Sequence, residues 1–178
     1  MIEELSRQAE ALYDEDSSLV ALDWLNGRRT PFANQELKGA ITGLTLGSDA
    51  PRIFKALVEA TAFGAKMIND RFIDEGVRID GVIATGGVAK KNPWVMQVVA
   101  DVLNVTIRVA RSDQTVALGS AMAAAVASGI YPDFKTAREK MENGFKKEYR
   151  PDPVKAEKYK ALYEKYKTLG FFVEKNLS

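Results

Sequence analysis

Two short apolar runs near the middle of the chain, GVIAT from Gly81 and VTIRVA from Val105, constrain the fold more than any other feature. Uninterrupted runs of this length are typical of strands that are buried in a parallel sheet. Between them, the segment from Pro93 to Leu103 repeats apolar residues at helical spacing. Because parallel neighbours need a crossover of this kind, the sequence predicts a βαβ unit.

The segments before this unit alternate between helical and extended patterns. An amphipathic helix opens the chain, and apolar, β-branched stretches at 19–27 and 39–47 predict two strands joined by a polar loop. A long apolar stripe then predicts a helix that begins at Pro51, because proline suits the first helical turn. Gly76 is the predicted glycine at the C-terminal end of this helix.

The segments after the unit predict further helices. The stretch from Thr115 to Gly129 consists mostly of small residues, which favour close helix packing, and it implies a second crossover. The terminal helix carries one apolar side, formed by Tyr159, Leu162, Tyr163, Tyr166 and Leu169. The prediction is an α/β fold, a mixed sheet with flanking helices. Because only four strands are seen and the chain opens on a helix, we expect residues 1–178 to form one domain that is incomplete at its N-terminal end.

The composition excludes several classes of chemistry. Lysine and arginine number 25 against 24 acidic residues, without long runs of either sign, so we expect no nucleic-acid or membrane partner. Cysteine and histidine are absent, which removes thiolate nucleophiles, the commonest general base and the commonest metal ligands. The lack of cysteine and of an apolar leader predicts a soluble, cytoplasmic protein.

The glycine pair Gly86-Gly87 follows the first apolar run, where ligands bind in open parallel sheets. Glycines there allow a ligand to approach the backbone. Asn92-Pro93 predicts an N-cap and the first residue of the next helix, and Lys90 and Lys91 add positive charge. The chain contains neither a G-x-G-x-x-G nor a G-x-x-x-x-G-K-[ST] motif, so the pattern leaves two interpretations: a ligand site or an ordinary tight turn.

Five motifs occur in an order that resembles the C-terminal domain of the FGGY-family carbohydrate kinases. They are DWLNGRRTP, GAITGLTLG, ALVEATAFGAKMI, TGGVAKKNPWVMQVVADVLN and SDQTVALGSAMAAAVASG. The first motif and the GG-x-x-x-KNP pattern point to the branch of the family that acts on L-ribulose. The resemblance implies an actin-like, ribonuclease-H-type fold, with ATP and sugar held between two domains.

The same resemblance implies a nucleotide site on this chain. Gly86 and Gly87 would pack against the adenosine of ATP, Asn92 would contact the nucleotide near its base and ribose, and Lys91 would lie close by. In the family, the phosphate loop, the sugar-binding residues and the general base belong to the other domain. Mg²⁺ would be bound together with that domain. We therefore expect no catalytic residue here and no turnover of the ketopentose substrate by this chain alone.

Two alternatives stay open from the sequence: a non-catalytic actin-like module for nucleotide binding or protein interaction, and an unrelated α/β enzyme. Homo-oligomerisation is also left open. The charged loop residues Asp23, Arg28 and Arg29 could touch sugar or phosphate, although surface loops often carry such charges. Glu59 falls among apolar residues of the long helix, so we expect it either to have a partner or to lie at the edge of the apolar face, in a structural role.

Overall fold

The structure is a computed structural model that describes residues 2–13, 15 and 18–176. Within these ranges the chain forms helices and strands in the following order: α1 (Ile2–Ala11), β1 (Val20–Leu22), β2 (Ala40–Thr42), α2 (Ala50–Asp74), β3 (Val82–Ala84), α3 (Gly87–Lys91), α4 (Pro93–Leu103), β4 (Ile107–Ala110), α5 (Thr115–Ala127), α6 (Phe134–Met141), β5 (Phe145–Tyr149) and α7 (Pro153–Asn176). No helix in these ranges combines the length and the apolar character that crossing a membrane requires.

The predicted βαβ unit is confirmed. Strands β3 and β4 pair in parallel, with Val82 opposite Ile107, and α4 forms the crossover between them. Ile107 is buried in a cluster that includes Met96 and Ala100 of α4. Alternate residues such as Ile83 are exposed on the opposite face of the sheet, as expected from the two-residue period of a strand.

The predicted second crossover is wrong. After α5 the chain forms α6, and β5 then returns antiparallel along the free edge of β4, with Tyr149 opposite Ile107. The first four residues of β5, FKKE, are exposed, so the segment shows no apolar alternation that would identify it as a strand. Backbone pairing with β4 and burial of Tyr149 beside Ile107 place this strand, and its lysines suit an edge position.

Strands β1 and β2 are present where the sequence predicts strands, but each is only three residues long. They form a separate antiparallel pair, with Val20 opposite Thr42. Gly43 follows β2 with φ of 81°, and a Cβ atom there would lie 2.2 Å from the Ser18 carbonyl oxygen. Only glycine therefore fits this close backbone approach.

Helix α2 lies at the centre of the fold and packs against α1, α4, α7 and β1. Its N-cap is Asp49, and Gly76 follows its end with φ of 80°, so the predicted C-terminal glycine is confirmed. Phe63 of α2 meets the rings of Tyr159, Tyr163 and Tyr166, with centroid separations of 6.1, 5.8 and 5.4 Å. The aromatic side of α7 thus docks on the chain's own core.

Candidate functional site

The glycine turn lies at the carboxyl end of β3, where it connects this strand to α3. Gly86 has φ of 87° and ψ of −178°, a conformation that glycine adopts without strain. Both glycines are exposed, and a Cβ atom added at Gly86 or Gly87 would meet nothing within 4 Å. Conformation therefore requires glycine at position 86, whereas neither crowding nor a positive φ requires it at position 87. The backbone of the turn is open to a ligand.

Asn92 ends α3 and caps α4, which confirms the predicted N-cap. Its Oδ1 accepts a hydrogen bond from the Val95 N–H at 3.2 Å, so it satisfies one free donor at the helix start. Its Nδ2 donates to the Ser6 Oγ of α1 at 2.8 Å. The side chain therefore joins three helices, and one of its two amide N–H groups is already used within the fold.

The two adjacent lysines of α3 have different surroundings. Lys90 donates from Nζ to the carbonyl oxygens of Arg111 (3.2 Å) and Ser112 (2.5 Å) and to the carboxylate of Asp113. Hydrogen bonding to Lys90 lowers the pKa of Asp113. Lys91 is exposed. The sequence predicted positive charge at this turn from both lysines, but it did not show which of them contacts the loop after β4.

Lys90 connects the turns that follow the two parallel strands β3 and β4. The second turn leads into α5, whose N-cap residue Gln114 makes no side-chain capping hydrogen bond. The first backbone N–H groups of α5 therefore stay available at the same sheet edge as the glycine turn. The edge combines open glycine backbone with helix-terminal donors, and this combination suits a ligand that carries a flat group and negative charge.

A second polar cluster lies between α1, α2 and α7, away from the glycine turn. Glu59 is buried and accepts a hydrogen bond from the Tyr159 hydroxyl at 3.2 Å, with the Lys55 ammonium 3.8 Å from the same carboxylate. Lys55 also donates to the carbonyl oxygens of Leu12 and Glu15, both at 2.8 Å. Of the two alternatives expected for Glu59, a partner or an edge position, the structure confirms the partner. The cluster connects the turn after α1 to the core.

The loop after β1 shows how Asp23, Arg28 and Arg29 differ. Arg28 is buried, donates from both terminal nitrogens to Glu174 (3.0 and 2.7 Å), and lies 5.1 Å from the centroid of Trp24. Arg29 is exposed. Asp23 is half-buried, and burial raises the pKa of its carboxyl. Arg28 is thus a structural residue, whereas Asp23 and Arg29 line a cavity between this loop and α2.

Known structures define the class of this fold. A xylulose kinase from Lactobacillus acidophilus superposes with a TM-score of 0.79 at 25% identity, over 94% of this chain and 33% of its own. A xylulose kinase from Rhodospirillum rubrum gives 0.76 at 27% identity, over 94% of this chain and 34% of its own. A glycerol kinase from Plasmodium falciparum, solved with ADP, gives 0.74 at 22% identity, over 92% of this chain and 32% of its own. The chain therefore has the actin-like ATPase fold of the sugar kinases.

Sequence comparison then names the family. The profile described as "FGGY family of carbohydrate kinases, C-terminal domain" matches residues 2–128, and the chain belongs to this family. It is 50% identical over 170 residues to a ribulokinase of Vibrio parahaemolyticus and 42% identical over 169 residues to a ribulokinase of Bacillus licheniformis. These alignments cover 96% and 93% of this chain, but only 30% and 31% of the two relatives.

Proposed function

We propose that residues 1–178 form the C-terminal, nucleotide-side domain of a carbohydrate kinase that transfers the γ-phosphoryl group of ATP to L-ribulose. Membership of the FGGY family supports the reaction class, and the 50% identity to a ribulokinase supports the sugar. The observation that carries the nucleotide assignment is the open Gly86-Gly87 turn at the carboxyl end of a parallel strand.

In this proposal, the backbone at Gly86 and Gly87 packs against the adenosine of ATP. A ligand in contact with the turn explains glycine at position 87, where the chain's own geometry does not demand it. Asn92 offers its second amide N–H to the nucleotide, and Lys91 adds a positive charge at the same edge. The glycerol kinase of this fold that was solved with ADP is consistent with an adenine nucleotide as ligand.

The described residues would bind and position ATP rather than perform chemistry. Phosphoryl transfer needs Mg²⁺ on the phosphates and a carboxylate that accepts the hydroxyl proton. Across the described ranges, no group of three or more acidic, histidine or cysteine side chains could hold a metal ion. We therefore assign no step of the reaction to a metal held by this chain alone.

Complementation tests the proposal. The 178-residue chain alone should not phosphorylate L-ribulose, whereas mixing it with the sugar-binding part of a related ribulokinase should restore ATP-dependent turnover. Turnover by the chain alone would contradict the assigned role. If complementation fails although ATP shifts the amide NMR signals of Gly86 and Gly87, the chain is instead a non-catalytic nucleotide-binding module.

Two substitutions of Asn92 separate nucleotide binding from helix capping. Asn92→Ala removes the cap, which should lower the unfolding free energy by about 1 kcal/mol, and should weaken ATP binding several-fold. Asn92→Asp keeps the capping oxygen but removes the amide donor, so it should weaken ATP binding with little loss of stability. Ser6→Ala is the control, because it removes only the partner in α1. Unchanged ATP affinity in both Asn92 variants would leave the residue with its capping role alone.

A further inference from the structure

A cavity of about 400 Å³ lies beneath the loop that follows β1. Residues 23, 24 and 26–30 form one wall, and α2 supplies the floor through small and apolar side chains such as Ala65 and Ile68. Tyr166 of α7 also lines the cavity. None of these lining residues belongs to the glycine turn, so the cavity is separate from the proposed nucleotide site.

The Asp23 carboxylate faces this cavity without an ionic partner in the part of the chain that the structure describes. The nearest candidate, Arg28, directs both terminal nitrogens to Glu174 and its Nε to the Phe32 carbonyl oxygen. The Asp23 side chain is half-buried, and this burial raises the pKa of its carboxyl because the charged form is less well solvated than at the surface. An incompletely solvated carboxylate gains free energy from a ligand that donates hydrogen bonds.

The rest of the cavity wall is polar but carries little net charge. Asn26, Arg29 and Thr30 are exposed around it and offer amide, guanidinium and hydroxyl groups. The positive charge of Arg29 offsets the negative charge of Asp23, and Arg28 is already neutralised by Glu174. The cavity therefore has no excess charge that would attract an ion of either sign.

We propose that this cavity binds a neutral polyhydroxylated molecule of the size of a pentitol. Hydroxyl groups of the ligand would donate to the Asp23 carboxylate, while Arg29 and Asn26 would donate to its oxygens. The apolar floor formed by α2 contacts the carbon chain. A small apolar surface with a few converging polar groups is the usual composition of a small-molecule site. This site is independent of nucleotide binding, and no chemical step takes place there.

Amide NMR titration of the 178-residue chain with ribitol tests the proposal. Saturable shifts are expected at residues 26–30 and at Thr61, which lines the α2 side of the cavity. Asp23→Asn should weaken ribitol binding about tenfold, because it removes a charged hydrogen-bond acceptor. Arg29→Met, at an exposed position that does not threaten folding, should weaken it several-fold. Asp74→Asn is the matched control, since this exposed carboxylate lies outside the cavity.

Titrations with methylammonium chloride and with inorganic phosphate test the chemical class of the ligand. Weak or absent shifts with both ions, together with the loss in Asp23→Asn, support a polyol site. Tighter binding of either ion than of ribitol at the same residues would overturn the assignment to a neutral ligand. Absence of saturable ribitol shifts, or equal affinity in Asp23→Asn, would overturn the site itself. ATP shifts at the glycine turn are measured separately, so failure of one proposal leaves the other unaffected.

Discussion

Replacing Glu59 by glutamine should remove the contribution that this residue makes to the pH dependence of stability between about pH 4.5 and pH 7. Glu59 is 3% exposed, and its carboxylate contacts the Tyr159 hydroxyl and faces the Lys55 ammonium. Burial is the largest influence on this group and raises its pKa from 4.5 to about 7, although Lys55 and the Tyr159 hydrogen bond oppose the shift. Desolvation thus outweighs the neighbouring positive charge.

The sign of the effect follows from proton binding. Between the unfolded pKa of 4.5 and the folded pKa of about 7, the folded chain holds a proton on Glu59 that the unfolded chain has lost. The unfolding free energy therefore decreases as the pH rises through this window. Each pKa unit corresponds to about 1.4 kcal/mol, so the decrease reaches up to about 3 kcal/mol. Glutamine does not titrate and should avoid this loss.

Urea denaturation followed by tryptophan fluorescence at several pH values between 4.5 and 7.5 measures the effect. Glu59→Gln should match the parent chain near pH 4.5 and exceed its stability by up to about 3 kcal/mol near pH 7.5. Glu36→Gln, at an exposed position, is the control and should show no such divergence. A constant difference between Glu59→Gln and the parent across the window would refute the reasoning. The reasoning would also be refuted if Glu59→Gln became less stable than the parent chain as the pH rises, because Glu59 would then be an ionised partner of Lys55.

Three further substitutions test separate features of the fold. Gly43→Ala should lower the unfolding free energy by about 3 kcal/mol or more in urea denaturation, because the new Cβ would meet the Ser18 carbonyl oxygen and residue 43 has a positive φ. A near-neutral result would contradict this geometry. Arg28→Lys should cost about 1–2 kcal/mol, since lysine cannot form the two-pronged hydrogen bond to Glu174, and unchanged stability would show that this pair contributes little. Lys90→Met should speed amide hydrogen exchange in the 111–113 loop about tenfold while global stability changes little. Unaltered exchange would show that the loop does not depend on this lysine.

Much of the fold could be predicted because its signals are local. The Asn92 cap and the glycine after α2 each depend on residues within a few positions of one another, and the βαβ unit is built from consecutive segments with clear apolar patterns. The edge strand β5 could not be predicted in this way. Its exposed lysines show no apolar period, and pairing with β4, which is distant in sequence, selects the extended conformation.

The candidate site, too, was predicted only in part from the sequence. Order and spacing of the motifs indicated Gly86, Gly87, Asn92 and Lys91, and their nucleotide contacts remain predictions. The structure added the partners of Lys90, three acceptors that lie 21 to 23 residues further along the chain. Lys90 rather than Lys91 reaches those acceptors, and this choice depends on the orientation of α3 relative to the end of β3.

The sequence by itself determined the α/β class, the helix ends, the glycine turn and the family, because these depend on neighbouring residues and on their order. The tertiary structure alone decided which charges are buried and which are left without partners. Glu59 meets a hydroxyl 100 residues away, and Arg28 turns toward Glu174, 146 residues away, leaving Asp23 to face a cavity. Such pairings arise only when α7 packs across α2 and the loop after β1, because electrostatic contacts depend on distance in space and burial rather than on separation along the chain.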